Sequence, residues 1–443
     1  MVDTRATARR MFGTPPPGGI SADSRAPYGW APLVVLFIVG LVDRIEFNLL
    51  SGVLPLIQKE WGFSDTAAGS IPTAAALAAV LVSLPAGYLA DRRDRTRILA
   101  FVVMLWAVAT LGSGLATGFA MFYAMRVFLA AAENIDNPAS SSLLADYYPP
   151  SSRAKVYGLT RLTTYLGGIG VLIAGVLGQA FGWRTTFLIM VVPGLVTAYL
   201  CWRLREPARG HLDRLIAGGS AAETEAAPKQ PFWPQLGRVM KIPTLVTVCL
   251  GLGLLTLGLA GIFFWLPSLM VRSFGVGTAA AGSVSGLITI TGPLLGTLIG
   301  SWLGSRWHGR IKGGRLLAGG GGITLGAAVL AGALSMNSLI GLGVFTLIAC
   351  TLMAIAIPNM TACLADVVGA DSRGVGFAVL QLFTTLGGAF GSLIVGVASD
   401  RMGSLTTGMY VLIPAMVLGG LITLAARGSF ERDAQKVLDA ARS

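Results

Sequence analysis

Apolar stretches of about 20 residues alternate with short polar loops along most of the chain. A helix of that length spans the hydrocarbon core of a bilayer, whereas a helix on a soluble protein keeps one polar face. The pattern therefore predicts an all-α membrane protein with twelve transmembrane helices. These helices are predicted near 32–57, 67–90, 98–117, 119–144, 156–180, 184–203, 244–270, 279–303, 314–333, 338–364, 375–398 and 405–427.

The predicted domain boundaries follow from the polar segments between these helices. Residues 1–31 are polar and rich in proline and glycine, without the apolar core of a signal peptide, which predicts a loose cytoplasmic N-terminal tail. Residues 204–243 are the only long hydrophilic stretch inside the sequence and predict a cytoplasmic linker. They separate a six-helix bundle over 32–203 from a second one over 244–427, and 428–443 is predicted to be a cytoplasmic tail.

The composition supports this assignment. Hydrophobic residues make up 54% of the chain and charged residues only 12%, with a mean hydropathy of +0.71, whereas a soluble domain carries about 25% charged residues. With the N-terminus in the cytoplasm, 26 of the 33 Lys and Arg residues fall in cytoplasmic segments and 4 on the opposite side, as the positive-inside rule requires. The net charge of +12 therefore reflects topology, not a nucleic-acid partner. We expect a multi-pass protein of the plasma (inner) membrane with both termini cytoplasmic.

Cysteine and histidine indicate no metal centre. The cysteines lie in apolar stretches without the spacing of metal ligands, so they are predicted to be small core residues. His211 and His308 lie in basic loops and form no ligand cluster. We expect no metal and no cofactor. The four cysteines are Cys201, Cys249, Cys350 and Cys363.

The two halves of the chain are related by an internal repeat. The stretch PASSSLLADYYPPSSRAKVYGLTRLTTYLGG, from Pro138, aligns without a gap to PNMTACLADVVGADSRGVGFAVLQLFTTLGG, from Pro358. At this constant offset Asp146 falls on Asp366, and Arg153 falls on Arg373. Two repeated bundles of six helices are typical of transporters that rock around a site at the bilayer midplane. The repeat therefore predicts alternating access.

The loop GYLADRRDRTR, residues 87–97, resembles the signature loop of the major facilitator superfamily. Asp91 ends a predicted helix, where its carboxylate can reach the N-terminus of a helix in the other half. Arg92 and Arg95 can pair with Asp146 on the next cytoplasmic loop. The alternative is an ordinary solvated loop. The predicted cytoplasmic gate comprises Gly87, Asp91, Arg92, Arg95, Asp146 and Arg153.

Ionisable residues lie in the interior of the first predicted helices, where each costs about 2.5–3.5 kcal/mol on insertion scales. Asp43 and Glu133 lie near mid-bilayer, and Arg126 shares a helix face with Glu133 and Asn137. A buried carboxylate whose surroundings change can take up and release a proton, whereas arginine stays charged and can hold an anion. The alternative is that these charges only pair helices together. The remaining candidates for substrate contact or charge pairing are Arg44, Glu46, Asp136, Arg161 and Tyr165.

The first half also resembles the Spinster family of lipid transporters. In that family the first helix carries an Asp-Arg pair followed by Gly-Val-Leu-Pro, as at 43–44 and 52–55 here. The Arg, Glu and Ala-Asp spacing of its fourth helix matches Arg126, Glu133 and 145–146. The resemblance implies that Asp43 and Glu133 are proton-coupling acids, with Arg44 and Arg126 as electrostatic partners. It also implies lysophospholipid or sphingoid-type substrates.

All assigned intramembrane charges lie in the first half, so the second half is predicted to present an apolar wall. A charged pole facing an apolar wall suits an amphiphile with an anionic head. Aromatic residues that could form the wall are Phe263, Phe264, Trp265, Phe383 and Phe390.

The sequence therefore predicts a monomeric, proton-coupled secondary transporter, a symporter or antiporter, for a small amphipathic lipid-like substrate. The alternative is a proton-coupled multidrug exporter or an organic-anion symporter of the same superfamily. A membrane enzyme or receptor is disfavoured, because the loops show no catalytic constellation and no nucleotide-binding Gly-Lys motif. We expect membrane lipids as the surroundings and no nucleic acid as a partner.

Overall fold

The structure is a computed structural model that describes residues 12–13, 25–92, 94–133, 135–208, 210, 212, 232–369 and 372–442. The described part of the first half forms eight helices. They are α1 Ala31–Trp61, α2 Asp65–Arg92, α3 Arg95–Gly114, α4 Phe119–Glu133, α5 Asp136–Tyr147, α6 Pro150–Leu166, α7 Gly168–Phe181 and α8 Trp183–Trp202.

The described part of the second half begins with a short helix before its first long one. Its helices are α9 Phe232–Val239, α10 Pro243–Phe274, α11 Thr278–Trp307, α12 Gly314–Leu334, α13 Leu339–Ala354, α14 Ala356–Val367, α15 Arg373–Met402, α16 Leu405–Tyr410, α17 Leu412–Ala425 and α18 Arg427–Arg442. The all-α fold class predicted from the sequence is confirmed.

Ten helical segments of the described residues are long and apolar enough to span a membrane. α1 is long enough at 31 residues, but its central part carries three charges. The span predicted over 119–144 is divided between α4 and α5. The predicted helices 32–57 and 119–144 are therefore the two that are missing from the ten spans. The count of twelve transmembrane helices stays a prediction.

The break between α4 and α5 recurs at the equivalent place of the repeat in the second half. Ile135 is non-helical and directly precedes α5, and Ile355 is non-helical and lies between α13 and α14. Each break is followed by a proline, Pro138 or Pro358, which lacks the N–H that would bond the carbonyl four residues earlier. The same missing hydrogen bond therefore explains both interruptions.

The chain divides into two compact units. The first contains Met1–Phe47, Ala75–Gly167 and Phe181–Ala226. Its core includes fully buried aromatic side chains, Trp106 and Phe122 among them. Each aromatic ring buries a large area in a single residue, and aliphatic side chains make up most of the rest of this core.

Part of the predicted N-terminal tail is docked on the first unit. Phe12 forms a backbone bridge with Leu204, with hydrogen bonds to the backbone of Arg203 and Arg205. Tyr28 is 6% exposed. The expectation of a loose tail is therefore wrong for these residues, because an apolar side chain and paired backbone groups hold them in place. The rest of residues 1–31 lies mostly outside the described part.

The second unit contains Asn48–Ala74, Gly168–Ala180 and Ala227–Ser443. The predicted C-terminal tail folds into α18, which is attached to this unit by an acid. Asp433 is 4% exposed and accepts hydrogen bonds from the Thr244 N–H (3.3 Å) and hydroxyl (2.8 Å) at the start of α10. Asp433 thereby satisfies a free N–H at the helix N-terminus.

Candidate functional site

The two acidic residues in the central part of α1 are buried in the first unit. Asp43 is 8% exposed and Glu46 2% exposed. Arg44 lies beside Asp43, with 3.3 Å between its Nε and the Asp43 Oδ2, and its side chain is 41% exposed. Asp43 therefore has a charge partner on its own helix, and Glu46 needs one from elsewhere.

Arg126 of α4 supplies that partner. Its Nη2 donates to the Glu46 backbone carbonyl at 3.3 Å, and its Nη1 lies 4.0 Å from the Glu46 Oε1. Its guanidinium lies 5.5 Å from the centroid of the Phe187 ring on α8. Arg126 is thus held between an acid and an aromatic face, which is a favourable place for a cation. Glu133, which the resemblance implies as a partner of Arg126, also interacts with it electrostatically.

Glu133 and Asp136 bring the remaining acids to the same group. Glu133 interacts electrostatically with Asp43, Glu46, Arg44 and Arg126. Asp136, 9% exposed, interacts with Asp43 and Arg44. The structure therefore joins two basic and four acidic groups from α1, α4 and α5, which we call the buried charge cluster. Its members are Asp43, Arg44, Glu46, Arg126, Glu133 and Asp136.

Three polar atoms of the buried charge cluster lack hydrogen-bond partners among the described residues. They are Glu46 Oε1, Arg126 Nη1 and Glu133 Oε1. A buried polar atom without a partner is costly, about 1–3 kcal/mol and more if charged. Water would satisfy all three atoms, a bound anion would accept from the Arg126 Nη1 group, and a proton on Glu46 or Glu133 would neutralise that carboxylate. The cluster is therefore suited chemically to exchange protons and to hold an anionic group.

The other three residues predicted to contact substrate are not members of the buried charge cluster. Arg161 on α6 is exposed, unlike the buried Arg126, so it can reach water by extending its side chain. Tyr165, one turn later, is half-buried. Asn137 belongs to α5, but its side chain lies outside the described part of the structure.

The predicted gate contains one fully described ion-pair group, centred on Arg95. Arg95 is 1% exposed, and its Nη1 lies 2.5 Å from the Asp146 Oδ2. Its Nε donates to Glu206 Oε1 at 2.7 Å, and the second oxygen of Glu206 accepts the Thr96 N–H at 2.9 Å. The group therefore ties the N-terminus of α3 to the end of α5 and to the chain after α8.

Among the remaining gate residues, only Arg153 has a side chain within the described part of the structure. Arg153 donates to the backbone carbonyls of Ala145 (2.7 Å) and Tyr148 (3.0 Å), so it satisfies carbonyls at the end of α5, where a cation is favoured. The side chains of Gly87, Asp91 and Arg92 lie outside the described part of the structure. The pairings predicted for Asp91 and Arg92 therefore stay predictions.

Two ion-pair partners were missed from the sequence. Glu206 stands in Leu-Arg-Glu-Pro at the start of the linker, and no local pattern distinguishes it from a solvated acid. Arg315 pairs with Asp366, with 2.5 Å between Nη1 and Oδ2. The offset that places Asp146 on Asp366 also places Arg95 on Arg315, so a longer alignment of the two halves would have indicated this pair.

The predicted apolar wall needs one correction. Trp265 is fully buried, and its Nε1 donates to the Ser392 backbone carbonyl at 2.9 Å. It therefore packs α10 against α15, because a buried indole N–H needs an acceptor, and it is unavailable as a wall residue. Phe390 is 38% exposed. The described cysteines are all buried and unpaired, as predicted.

Comparisons with known proteins agree with this architecture. The cis,cis-muconate transport protein of Acinetobacter baylyi is 29% identical over 54% of this chain, and the aligned region spans only 58% of that relative. Protein spinster homolog 1 of Homo sapiens is 26% identical over 84% of this chain and 73% of its own length.

A solved structure supports the same fold. It is the crystal structure of a bacterial homologue of the human lysosomal transporter Spinster, in an inward-facing and unoccupied conformation. It superimposes with a TM-score of 0.78 at 22% identity, covering 92% of this chain and 97% of that one. The sequence profile of the Major Facilitator Superfamily matches residues 36–392. The chain belongs to the major facilitator superfamily.

Proposed function

We propose that this protein is a proton-coupled secondary transporter that moves an amphipathic, anionic, lipid-like substrate by alternating access. The observation that carries the proposal is the buried charge cluster, in which Arg126 is 5% exposed and its Nη1 lacks a hydrogen-bond partner among the described residues. Charged groups inside a membrane protein usually mark substrate or ion pathways because they are expensive to keep there.

Proton coupling follows from the ratio of acids to bases. The cluster contains four carboxyl groups and two arginines, and the arginines stay protonated. Four negative charges against two positive ones repel each other in a low dielectric, so part of the carboxyl groups must hold protons. Binding of an anion at Arg126 adds another negative charge. We propose that Asp43 and Glu133 take up protons at that moment and release them on the other side.

A lipid-like substrate is supported by the uneven distribution of charge. The interiors of the predicted helices of the second half carry no Asp, Glu, Lys or Arg residue. A substrate in contact with both halves would meet charge on one side and apolar groups on the other. Lysophospholipids and sphingoid-type lipids have this character, and the resemblance to the Spinster family implies the same class.

A small organic anion is the second candidate. It is favoured by the relative from Acinetobacter baylyi, whose name assigns it cis,cis-muconate. A small dicarboxylate would need only the arginines of the first half and no apolar wall. Purified protein in proteoliposomes under an imposed pH gradient would be offered a lysophospholipid and a small dicarboxylate. Gradient-dependent uptake of the lysophospholipid supports the first proposal, and uptake of the dicarboxylate alone supports the second.

We also propose the cellular setting. The positive-inside distribution supports a plasma (inner) membrane protein with both termini in the cytoplasm. On this orientation the Arg95, Asp146 and Glu206 group belongs to the cytoplasmic side and would stiffen the helix ends that move during gating. The protein is proposed to act as a monomer without a cofactor, driven by the proton gradient.

A further inference from the structure

Five polar residues meet at helix ends on the side predicted to be non-cytoplasmic. They come from α1, α2, α10 and α15, and all belong to the second unit. We call them the Asp65 cluster: Gln58, Asp65, Arg272, Ser399 and Asp400. They connect a segment of the first half, residues 48–74, to two helices of the second half. Neither the gate motif nor the intramembrane charges includes any of them.

Asp65 is the centre of the cluster. Arg272 binds its carboxylate with both ends of the guanidinium, Nη1 to Oδ2 at 2.7 Å and Nη2 to Oδ1 at 2.6 Å. Ser399 donates to Oδ2 at 2.6 Å, and Gln58 donates to Oδ1 at 2.9 Å. A bidentate arginine–carboxylate pair with two further donors is among the stronger polar contacts of proteins. The Asp65 side chain is 9% exposed, so water competes little for it.

Asp400 adds a second link between the same helices. Its carboxylate accepts the backbone N–H of Asp65 at 3.1 Å and of Thr66 at 2.8 Å. These N–H groups begin α2 and have no acceptor within their own helix. A carboxylate there also interacts favourably with the helix dipole. The end of α15 is thereby bonded to the start of α2, as Asp91 was predicted to bond a helix start on the cytoplasmic side.

The backbones of α2 and α15 approach closely below these contacts. A Cβ added at Gly69 would overlap the Ser392 carbonyl oxygen, and one added at Gly396 would overlap that of Asp65. The Ser392 hydroxyl also donates to the Gly69 carbonyl at 3.0 Å. Only glycine permits this spacing. The two helices therefore form a dry seam that is closed at its outer end by the Asp65 cluster.

Water can reach the outer end of the seam. A cavity of about 460 Å³ opens beside the cluster and is lined by Arg272, Ser399 and Asp400 among other residues. The Arg272 side chain is 39% exposed. An ion pair next to water can separate without leaving either charge in an apolar medium. The cluster is therefore strong enough to hold the seam and still able to open.

We infer that the Asp65–Arg272 pair, with Asp400 at the start of α2, is a latch that must break for the transporter to open towards the non-cytoplasmic side. The inference rests on the proposed function, because alternating access requires first-half and second-half helices to part on each side in turn. It assigns a gating role to residues outside the buried charge cluster. The latch sets how often this side opens, and the cluster sets what is carried.

Thiol accessibility tests the latch without any substrate. Ser392→Cys places a reporter thiol at a position that is 1% exposed within the seam. A membrane-impermeant maleimide, added from the non-cytoplasmic side, labels it only when the seam opens. The reporter is combined with Asp65→Asn, Arg272→Gln, both together, and Arg401→Gln as a control. Arg401 is exposed and adjacent to Asp400, so it matches the charge and location without belonging to the cluster.

We expect each single latch variant to raise the labelling rate about tenfold, because it removes a bidentate, charge-assisted contact that water reaches only in part. The double variant should label no faster than the single ones, because the two residues act as one pair. Arg272→Lys should give an intermediate rate, since lysine keeps the charge but not the fork. Arg401→Gln should label like the parent.

Three results would overturn the latch: parental labelling in both single variants, multiplied effects in the double variant, or equally fast labelling in Arg401→Gln. The readout also separates this inference from the proposed function. Labelling that behaves as expected in a protein that transports neither candidate substrate would leave the latch intact and refute the substrate proposal. Proton-driven transport of a candidate substrate, with parental labelling in the latch variants, would support the proposed function and refute the latch.

Discussion

Arg95 and Asp146 form an ion pair that Arg315 and Asp366 repeat in the second half, through the same atoms and at the same 2.5 Å distance. The two pairs occupy equivalent places, at the start of α3 and α12 and near the end of α5 and α14. Their surroundings differ. Only Arg95 has a further carboxylate, Glu206, within hydrogen-bonding distance in the described structure. The ion pair is therefore present in both halves of the repeat. In the first half it is also buried and bonded to Glu206.

Arg95→Gln should lower stability much more than Arg315→Gln. Removing the 1% exposed Arg95 leaves two carboxylates without their cation, which costs about 3–5 kcal/mol for a buried pair. The Arg315 and Asp366 side chains are 20% and 37% exposed, so losing that pair should cost about 1 kcal/mol. Thermal unfolding in detergent measures both, with Arg97→Gln as an exposed control. Equal destabilisation by the two repeat-related variants would show that enclosure by Glu206 is unimportant.

Asp43→Asn should abolish transport driven by a pH gradient while the protein remains folded in the membrane. Asparagine keeps the shape of the side chain and an oxygen for Arg44, but it cannot release a proton. The measurement is uptake into proteoliposomes with and without an imposed gradient. Asp94→Asn is the matched control, since the Asp94 side chain is 51% exposed. Full activity of Asp43→Asn at every pH would exclude Asp43 as the coupling group.

Arg126→Ala should impair anionic substrates about tenfold more than neutral ones, because it removes the buried cation that faces the bound charge. Competition by anionic and neutral amphiphiles of equal chain length measures the ratio. Arg161→Ala serves for comparison, since Arg161 is exposed. An equal loss for both classes of substrate would instead indicate structural damage by the loss of the Glu46 and Phe187 contacts.

Tyr148→Phe should destabilise the first unit by about 1–3 kcal/mol, the cost of leaving buried polar groups unpaired. The Tyr148 hydroxyl donates to the Gly29 carbonyl and accepts the Leu33 N–H, both at 3.0 Å. Thermal unfolding of the variant beside the parent measures the loss. Tyr157→Phe, at an exposed hydrogen bond to Ser141, is the control and should change little.

The Tyr148 contribution should be independent of pH through the neutral range. Burial raises the pKa of Tyr148 to about 12, above the ordinary value of 10.0. The folded state therefore holds the phenol proton more tightly, so this stability is present below pH 10 and is lost as pH rises from 10 towards 12. Melting temperatures of the parent and Tyr148→Phe should differ by a constant amount between pH 6 and 9. A difference that disappears within this range would contradict the assignment.

The sequence was sufficient for features that depend on composition and period. Helix lengths follow from bilayer thickness, and the repeat follows from aligned residues, so the helical fold and its family were predictable. The break near Pro138 was not predicted, although its repeat at Pro358 is visible in the alignment. Its cause is local, because proline lacks the backbone N–H that the helix needs, so the break could have been predicted from the sequence.

Partner choice was decided by tertiary structure. The pairing of Arg126 with Glu46 joins residues 80 positions apart, and that of Arg272 with Asp65 joins residues 207 positions apart. Helix spacing along α4 or α10 identifies neither partner, because each partner lies on another helix, and the rotation of the packed helices decides which groups meet. By itself the sequence therefore determined which segments enter the membrane and that two related bundles form, because both depend on the solubility of whole segments. Only the packed helices decided which charges meet, because a contact depends on the angle and depth of two surfaces that no local pattern encodes.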